Sequence, residues 1–108
     1  MPMWYLVYKG YAKARDGRIY KRDRVVRLGS FKGRPKIVGK YRDPVTGRVV
    51  VMIERKIVIP RKTYTRRGKK VTRKRYEVTR SFHVGLGKVA DMKSIRLTKH
   101  PPRGALLD

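Results

Sequence analysis

Residues 49–84 read VVVMIERKIVIPRKTYTRRGKKVTRKRYEVTRSFHV, two strand-like runs around a basic turn that contains a glycine. Placing the tip at Arg67-Gly68 sets Val51 opposite Val84, Ile53 opposite Phe82, Ile57 opposite Val78 and Ile59 opposite Tyr76. These apolar pairs share one face, as an antiparallel register resting on a core requires. Further out the same face turns to Arg61 with Lys74, Thr63 with Thr72 and Thr65 with Lys70. A long hairpin is therefore expected, with an apolar root and a basic finger over residues 60–75 that projects from the body. Pro60 has no N–H for a ladder, so a bend, bulge or edge is expected where root passes into finger.

On the N-terminal side, Ile37 to Arg42 is a short run closed by Asp43-Pro44-Val45-Thr46-Gly47, the composition of a type I turn with a left-handed glycine. Pairing across it sets Ile37 opposite Ile53 and Tyr41 opposite Val49, on the face already assigned to the core. Earlier still, Met3 to Ala14 and Arg18 to Leu28 flank Asp16-Gly17, a two-residue hairpin signal. That turn sets Tyr8 opposite Val25, Val7 opposite Val26 and Tyr5 opposite Leu28, with Lys13, Arg15, Arg18, Lys21 and Arg22 at the tip. Gly29 to Pro35 reads as a loop carrying Phe31, Lys32 and Arg34. On the C-terminal side, Val89, Met92 and Ile95 admit a short helix within Lys88–Lys99, with a last strand Ser94–Thr98 competing. Residues 99–108, opening Lys99-His100-Pro101-Pro102-Arg103-Gly104, read as an extended basic tail.

The expected fold is thus all-β or mainly β. It is a small antiparallel meander or barrel-like body of about five strands with a long projecting basic hairpin. We expect a single domain over residues 1–108, its body at 1–59 and 76–98. A tryptophan on an apolar strand, Trp4, is assigned to the core.

Composition bounds the partner. Thirty-one Lys and Arg against 7 Asp and Glu leave a formal charge of +24 on 108 residues. Solubility in a small domain needs a charge of only about 2–8. Self-repulsion on this scale calls for a polyanion, and nucleic acid fits better than an anionic membrane. No apolar run approaches the ~20 residues of a membrane span, and the N-terminus lacks the basic region and cleavage site of a signal peptide. There is no cysteine, so disulfides, thiolate metal sites and thiol catalysis are excluded. The chain also has no asparagine and no glutamine. These amides are labile in heat, which suggests a thermophilic source. Their absence removes the usual bidentate readers of adenine.

No catalytic set emerges. His83 and His100 lie far apart, His83 pointing away from the Phe82/Val84 face, and neither has a carboxylate neighbour in sequence. The acids are scattered, with Asp16 and Asp43 in turns and Glu54 and Glu77 in the hairpin, where salt bridging is their expected role. No Gly-x-x-x-x-Gly-Lys phosphate loop or dinucleotide fingerprint is present. The chain is expected to be no enzyme and to need no cofactor, metal or small-molecule substrate.

What remains is a basic surface. On the finger Arg61, Lys62, Arg66, Arg67, Lys69, Lys70, Arg73, Lys74 and Arg75 surround Tyr64. Because strand residues alternate, these charges are expected on both faces, which suits insertion between the phosphate-lined surfaces of folded RNA. Tyr64 and Phe31 are candidates for stacking on unpaired bases. Lys32 and Arg34 in the loop, Arg15 and Arg18 at the first tip, and Lys99, His100 and Arg103 in the tail are further candidate phosphate contacts.

In general character the chain resembles small archaeal ribosomal proteins, which join a compact β body to basic extensions without cysteine or a catalytic set. The resemblance covers the whole chain and rests on no family motif. It implies a structural role on rRNA beside neighbouring ribosomal proteins, in the cytoplasm. A basic chromatin protein binding duplex DNA in the nucleoid is the alternative. A third reading is an accessory interaction subunit of an RNA-processing or transcription complex, which needs an exposed apolar patch.

Overall fold

Alternating apolar residues draw the chain into two open sheets that pack face to face, and the same alternation carries one hairpin beyond them. The computed structural model describes residues 1–108. Its strands in chain order are β1 (Met3–Lys13), β2 (Ile19–Ser30), β3 (Lys36–Arg42), β4 (Val49–Ile59), β5 (Lys62–Arg66), β6 (Lys69–Arg73), β7 (Tyr76–Gly85), β8 (Arg96–Thr98) and β9 (Leu106–Leu107). One sheet has the order β8-β1-β2-β9, a second β3-β4-β7, and β5 with β6 forms a separate ribbon. The fold is mainly β, as expected, but neither sheet closes into a barrel. All pairings are antiparallel except the short one between β2 and β9.

The core lies between the sheets. Leu6 and Tyr8 of β1 meet Val49, Val51 and Ile53 of β4, with Leu86, Ala90 and Ile95 sealing the cluster. Ile53 has no exposed surface, so truncation to alanine costs about 2–5 kcal/mol. Trp4 is also buried. The cations of Arg34 and Lys99 lie 5.6 and 5.7 Å from its ring.

The β4/β7 register is the expected one: Val51 faces Val84, Ile53 faces Phe82, Ile57 faces Val78 and Ile59 faces Tyr76. Two other registers differ by one residue, each for a local reason. Between β1 and β2 the pairs are Tyr8 with Arg24, Val7 with Val25 and Tyr5 with Arg27. The Gly17 N–H donates to the Ala14 carbonyl and the Ala14 N–H to the Arg18 carbonyl. With Gly17 left-handed at φ 87°, this is a three-residue turn ending in a glycine bulge, so every partner moves by one. Between β3 and β4, Ile37 faces Ile53, but a bulge at Val38 puts Tyr41 opposite Val50. Tyr41 consequently turns outward and is exposed rather than joining the core.

The C-terminal expectations change most. Residues 88–99 form no α-helix; a single 3-10 turn at Met92–Ser94 is capped by the Asp91 carboxylate accepting from the Lys93 N–H. Strand pairing of β8 onto the free edge of β1 takes the following residues, and Val89 is left exposed. Nor is the segment 99–108 a free arm. It folds back until Leu106–Leu107 runs parallel to β2. The Asp108 carboxylate then accepts from the Tyr8 hydroxyl and pairs with Arg24 at 2.6 Å. Burial, followed by the bond to Asp108, pushes the Tyr8 phenol up to about 12.

Candidate nucleic-acid interface

The finger begins where the β4/β7 ladder ends, at Ile59 opposite Tyr76. Pro60 and Arg61 on one side and Lys74 and Arg75 on the other lie outside any strand. Pairing resumes at Lys62 opposite Arg73 and runs through Thr63–Thr72, Tyr64–Val71 and Thr65–Lys70 to Arg66–Lys69. Proline's missing N–H thus interrupts the ribbon without shifting its register. At the tip Arg67 and Gly68 are both left-handed, φ 52° and 75°, the two-residue geometry that matches the twist of a hairpin. The radius of gyration is 19.0 Å, against about 13 Å for a compact chain of this length. The ribbon therefore stands well clear of the body, within overall extents of 69 × 32 × 23 Å.

The observed pairing puts charge on both faces of the finger but divides it unevenly. Alternation places Lys62, Tyr64 and Arg66 on one face with their partners Arg73, Val71 and Lys69. The other face holds Thr63, Thr65 and Thr72 with Lys70 as its one cation, and the Thr63 and Thr72 hydroxyls meet at 3.4 Å. The basic face has a clear order along the ribbon. Lys62 lies directly opposite Arg73 and Arg66 directly opposite Lys69, with the half-buried pair Tyr64–Val71 between the two cationic rows. Like charges facing each other destabilise a ribbon, and no finger cation has an ion-pair partner. Arg61, Lys74 and Arg75, with Thr72, line a shallow hollow at the break.

The other candidate contacts divide in two. Phe31 is packed into the body, with little ring surface left to offer a base. It is 5% exposed, its ring tilted against Phe82 at 6.2 Å, with the Arg55 guanidinium 5.3 Å from Phe31 and 5.1 Å from Phe82. Lys32 is held by Glu77 at 3.0 Å, and that ammonium keeps the Glu77 carboxyl below its ordinary range. Arg18 is paired with Asp16 at 2.6 Å, while Arg34 and Lys99 lie over Trp4. Arg15, His100 and Arg103 are exposed, but the latter two sit on a segment docked against the body instead of threading outward. The finger gathers the largest group of exposed cations free of ion pairs.

Sequence reasoning passed over Arg55, which lies opposite Arg80 in the middle of the apolar root. The signal was available, because the two arginines interrupt the apolar series between Ile53–Phe82 and Ile57–Val78. Beyond this interruption Ile57, Ile59 and Val78 are only half-buried and Tyr76 is exposed. The core covers the inner half of the root and stops at Arg55. No helix is long and apolar enough to cross a membrane. Comparison with known proteins finds no match: no family model, no curated protein and no solved structure is significantly similar to this chain.

Proposed function

We propose that this chain is a non-catalytic RNA-binding protein whose finger neutralises phosphates of a folded RNA, most specifically a structural ribosomal protein on rRNA. The observation that carries this reading is the finger's basic face. Two facing cation rows, each costing the free ribbon about 0.2–1 kcal/mol, bracket Tyr64 and Val71. A protein gains nothing from that arrangement in water, and an isolated two-stranded ribbon is already marginal. Phosphates between the rows turn each repulsion into attraction, and the released counterions add to affinity.

The pair Tyr64–Val71 favours RNA over duplex DNA. An aromatic surface between cations is a platform for an unstacked base, which folded RNA offers and a regular duplex does not. The missing Asn and Gln leave little capacity for reading base edges, in keeping with binding by shape and charge. Confinement of four ribbon cations to one face supports a second reading. A two-stranded ribbon fits the major groove of B-DNA, and a one-sided charge suits a duplex surface, as in a chromatin protein.

Two measurements separate the readings. In a gradient of source-cell lysate, a ribosomal protein sediments with a subunit and leaves it only in high salt. A protein that stays at the top of the gradient at low salt, or travels with DNA, is not ribosomal. Titration of the purified chain with folded rRNA fragments and with duplex DNA at matched salt should give tighter binding to RNA. Equal or tighter duplex binding favours the second reading.

A further inference from the structure

The hairpin at the other end of the molecule carries the same kind of surface as the finger. In β1 and β2, Lys9 lies opposite Asp23, Tyr11 opposite Lys21 and Lys13 opposite Ile19. Directly opposite residues share a face, and so do residues two apart. One face of this hairpin therefore shows Tyr11 and Ile19 among Lys13 and Lys21, with Arg15 in the turn beyond. The Lys9–Asp23 ion pair at 2.6 Å closes the row nearest the body and fits that assignment. Tyr11 is 37% exposed and Ile19 69%; Lys13, Arg15 and Lys21 are exposed as well. None of these three cations is in an ion pair. An aromatic and a β-branched side chain framed by lysines repeats the composition of Tyr64 and Val71 framed by Lys62, Arg66, Lys69 and Arg73.

The two surfaces lie at opposite ends. Phe31, just past the open end of the β1–β2 hairpin, rests on Phe82 and beneath Arg55, which is the side of the body from which the finger leaves. Further along β1, Tyr8, Gly10 and Tyr11 share a hollow with Arg48, Gly85, Leu86 and Gly87. That is the end of β4 and β7 remote from the finger, where the Leu86 N–H donates to the Val49 carbonyl. The β1–β2 turn continues outward from there, so the two basic tips point towards opposite ends of a molecule 69 Å in its longest extent.

Resting on the proposed RNA-binding function, we infer a second RNA site formed by Tyr11, Lys13, Arg15, Ile19 and Lys21, so that one molecule holds two RNA segments together. Each end offers a platform for an unpaired base with phosphate-binding cations beside it. The packed body lies between them, so one short loop cannot occupy both.

The test uses the full chain and two short RNA stem-loops with unpaired loops, one carrying a donor dye and the other an acceptor. The wild-type chain at limiting concentration should bring donor and acceptor into one complex. The variant Tyr11→Ala/Lys13→Ala/Lys21→Ala should still bind a single stem-loop through its finger, within about twofold, while the two-RNA complex falls by about tenfold or more. Lys13→Glu/Lys21→Glu, which leaves Tyr11 in place, should lose the complex in the same way and guards against a folding defect in the triple variant. Bridging by either variant as strong as wild type, or a wild-type chain that saturates at one RNA, overturns the second site while leaving the finger's role intact. A wild-type chain that binds no RNA overturns the proposed function and this inference together. Equal bridging of duplex DNA overturns RNA as the partner.

Discussion

Arg67 holds a left-handed backbone, φ 52°, that glycine or asparagine adopts far more readily. A non-glycine residue kept in that region costs on the order of 1 kcal/mol, and such strain commonly accompanies function. At the tip of the finger the guanidinium is placed to make first contact under the proposed RNA-binding function. Arg67→Gly should therefore raise hairpin stability by about 1 kcal/mol while weakening RNA affinity, read by thermal melting and by titration. A loss in both would mean that Arg67 serves the turn itself. Phe31 makes the opposite case, since its ring is buried against Phe82 and Arg55. Phe31→Ala should cost about 3–5 kcal/mol of stability with finger-mediated binding retained in the fraction that stays folded. A variant of unchanged melting temperature but weaker RNA binding would return Phe31 to the interface. Trp4 and His83 were readable at this scale, because a residue inside an alternating run inherits its face. Phe31 was not, since it lies in a loop with no period to assign it. Arg55 was hidden by its charge, although two flanking phenyl rings make a half-buried guanidinium acceptable.

At the scale of the element, each hairpin was legible to the extent that its turn chemistry was unique. Placing a two-residue turn at Arg67-Gly68 put apolar residues opposite one another along the root, and the observed β4/β7 and β5/β6 registers match it. Asp16-Gly17 serves two-residue and three-residue turns alike, so the β1/β2 register was open by one. The bulge at Val38 left no mark that pattern could detect, and Tyr41 was misplaced with it. The finger's charged face shows why register matters to function. Nine cations in a short stretch look two-sided until the break at Pro60–Arg61 and Lys74–Arg75 removes three of them from the ladder. Reversing one charge tests this layout with opposite signs for stability and binding. Lys69→Glu replaces the facing pair Arg66–Lys69 by an attractive one, so the free ribbon should gain about 0.2–1 kcal/mol. RNA affinity should fall and its salt dependence flatten. Hydrogen exchange of the tip amides reads the first effect and RNA titration the second; a destabilised tip would mean the two side chains do not face one another.

For the whole molecule, the expected free tail proved to be part of the body. Nothing in Pro101-Pro102 announces a return, and the contacts that produce it join residues distant in sequence. Asp108 reaches Tyr8 and Arg24, and Arg22 donates to the Gly104 carbonyl at 2.6 Å. Arg24 passes so close over Gly10 that a Cβ there would lie 2.7 Å from its side chain. Because the phenol of Tyr8 is raised from 10.0 to about 12, its protonated form is the one the fold favours. That stabilisation is complete below pH 10 and is lost as pH rises through about 12. Melting temperature should drop across that window in the wild type, and Tyr8→Phe, which cannot ionise, should lack this part of the drop. Identical alkaline profiles would mean that neither burial of the phenol nor its bond to Asp108 favours the protonated form in the fold. With the tail folded away, the basic hairpin tips project from opposite ends of the body, and the two proposed sites can be tested by separate mutations.

The central claim is that the finger's facing cation rows bind RNA phosphates. Its most direct test is the affinity of the full chain for a folded rRNA fragment across a range of salt, compared with Lys62→Ala/Arg66→Ala/Lys69→Ala/Arg73→Ala. For the wild type, log K should fall linearly with log salt. In the variant, weakened at low salt but still folded, the slope should be shallower by about 0.7–0.9 for each phosphate no longer neutralised, or roughly 3 for the set. A folded variant with the affinity and slope of the wild type would contradict the claim.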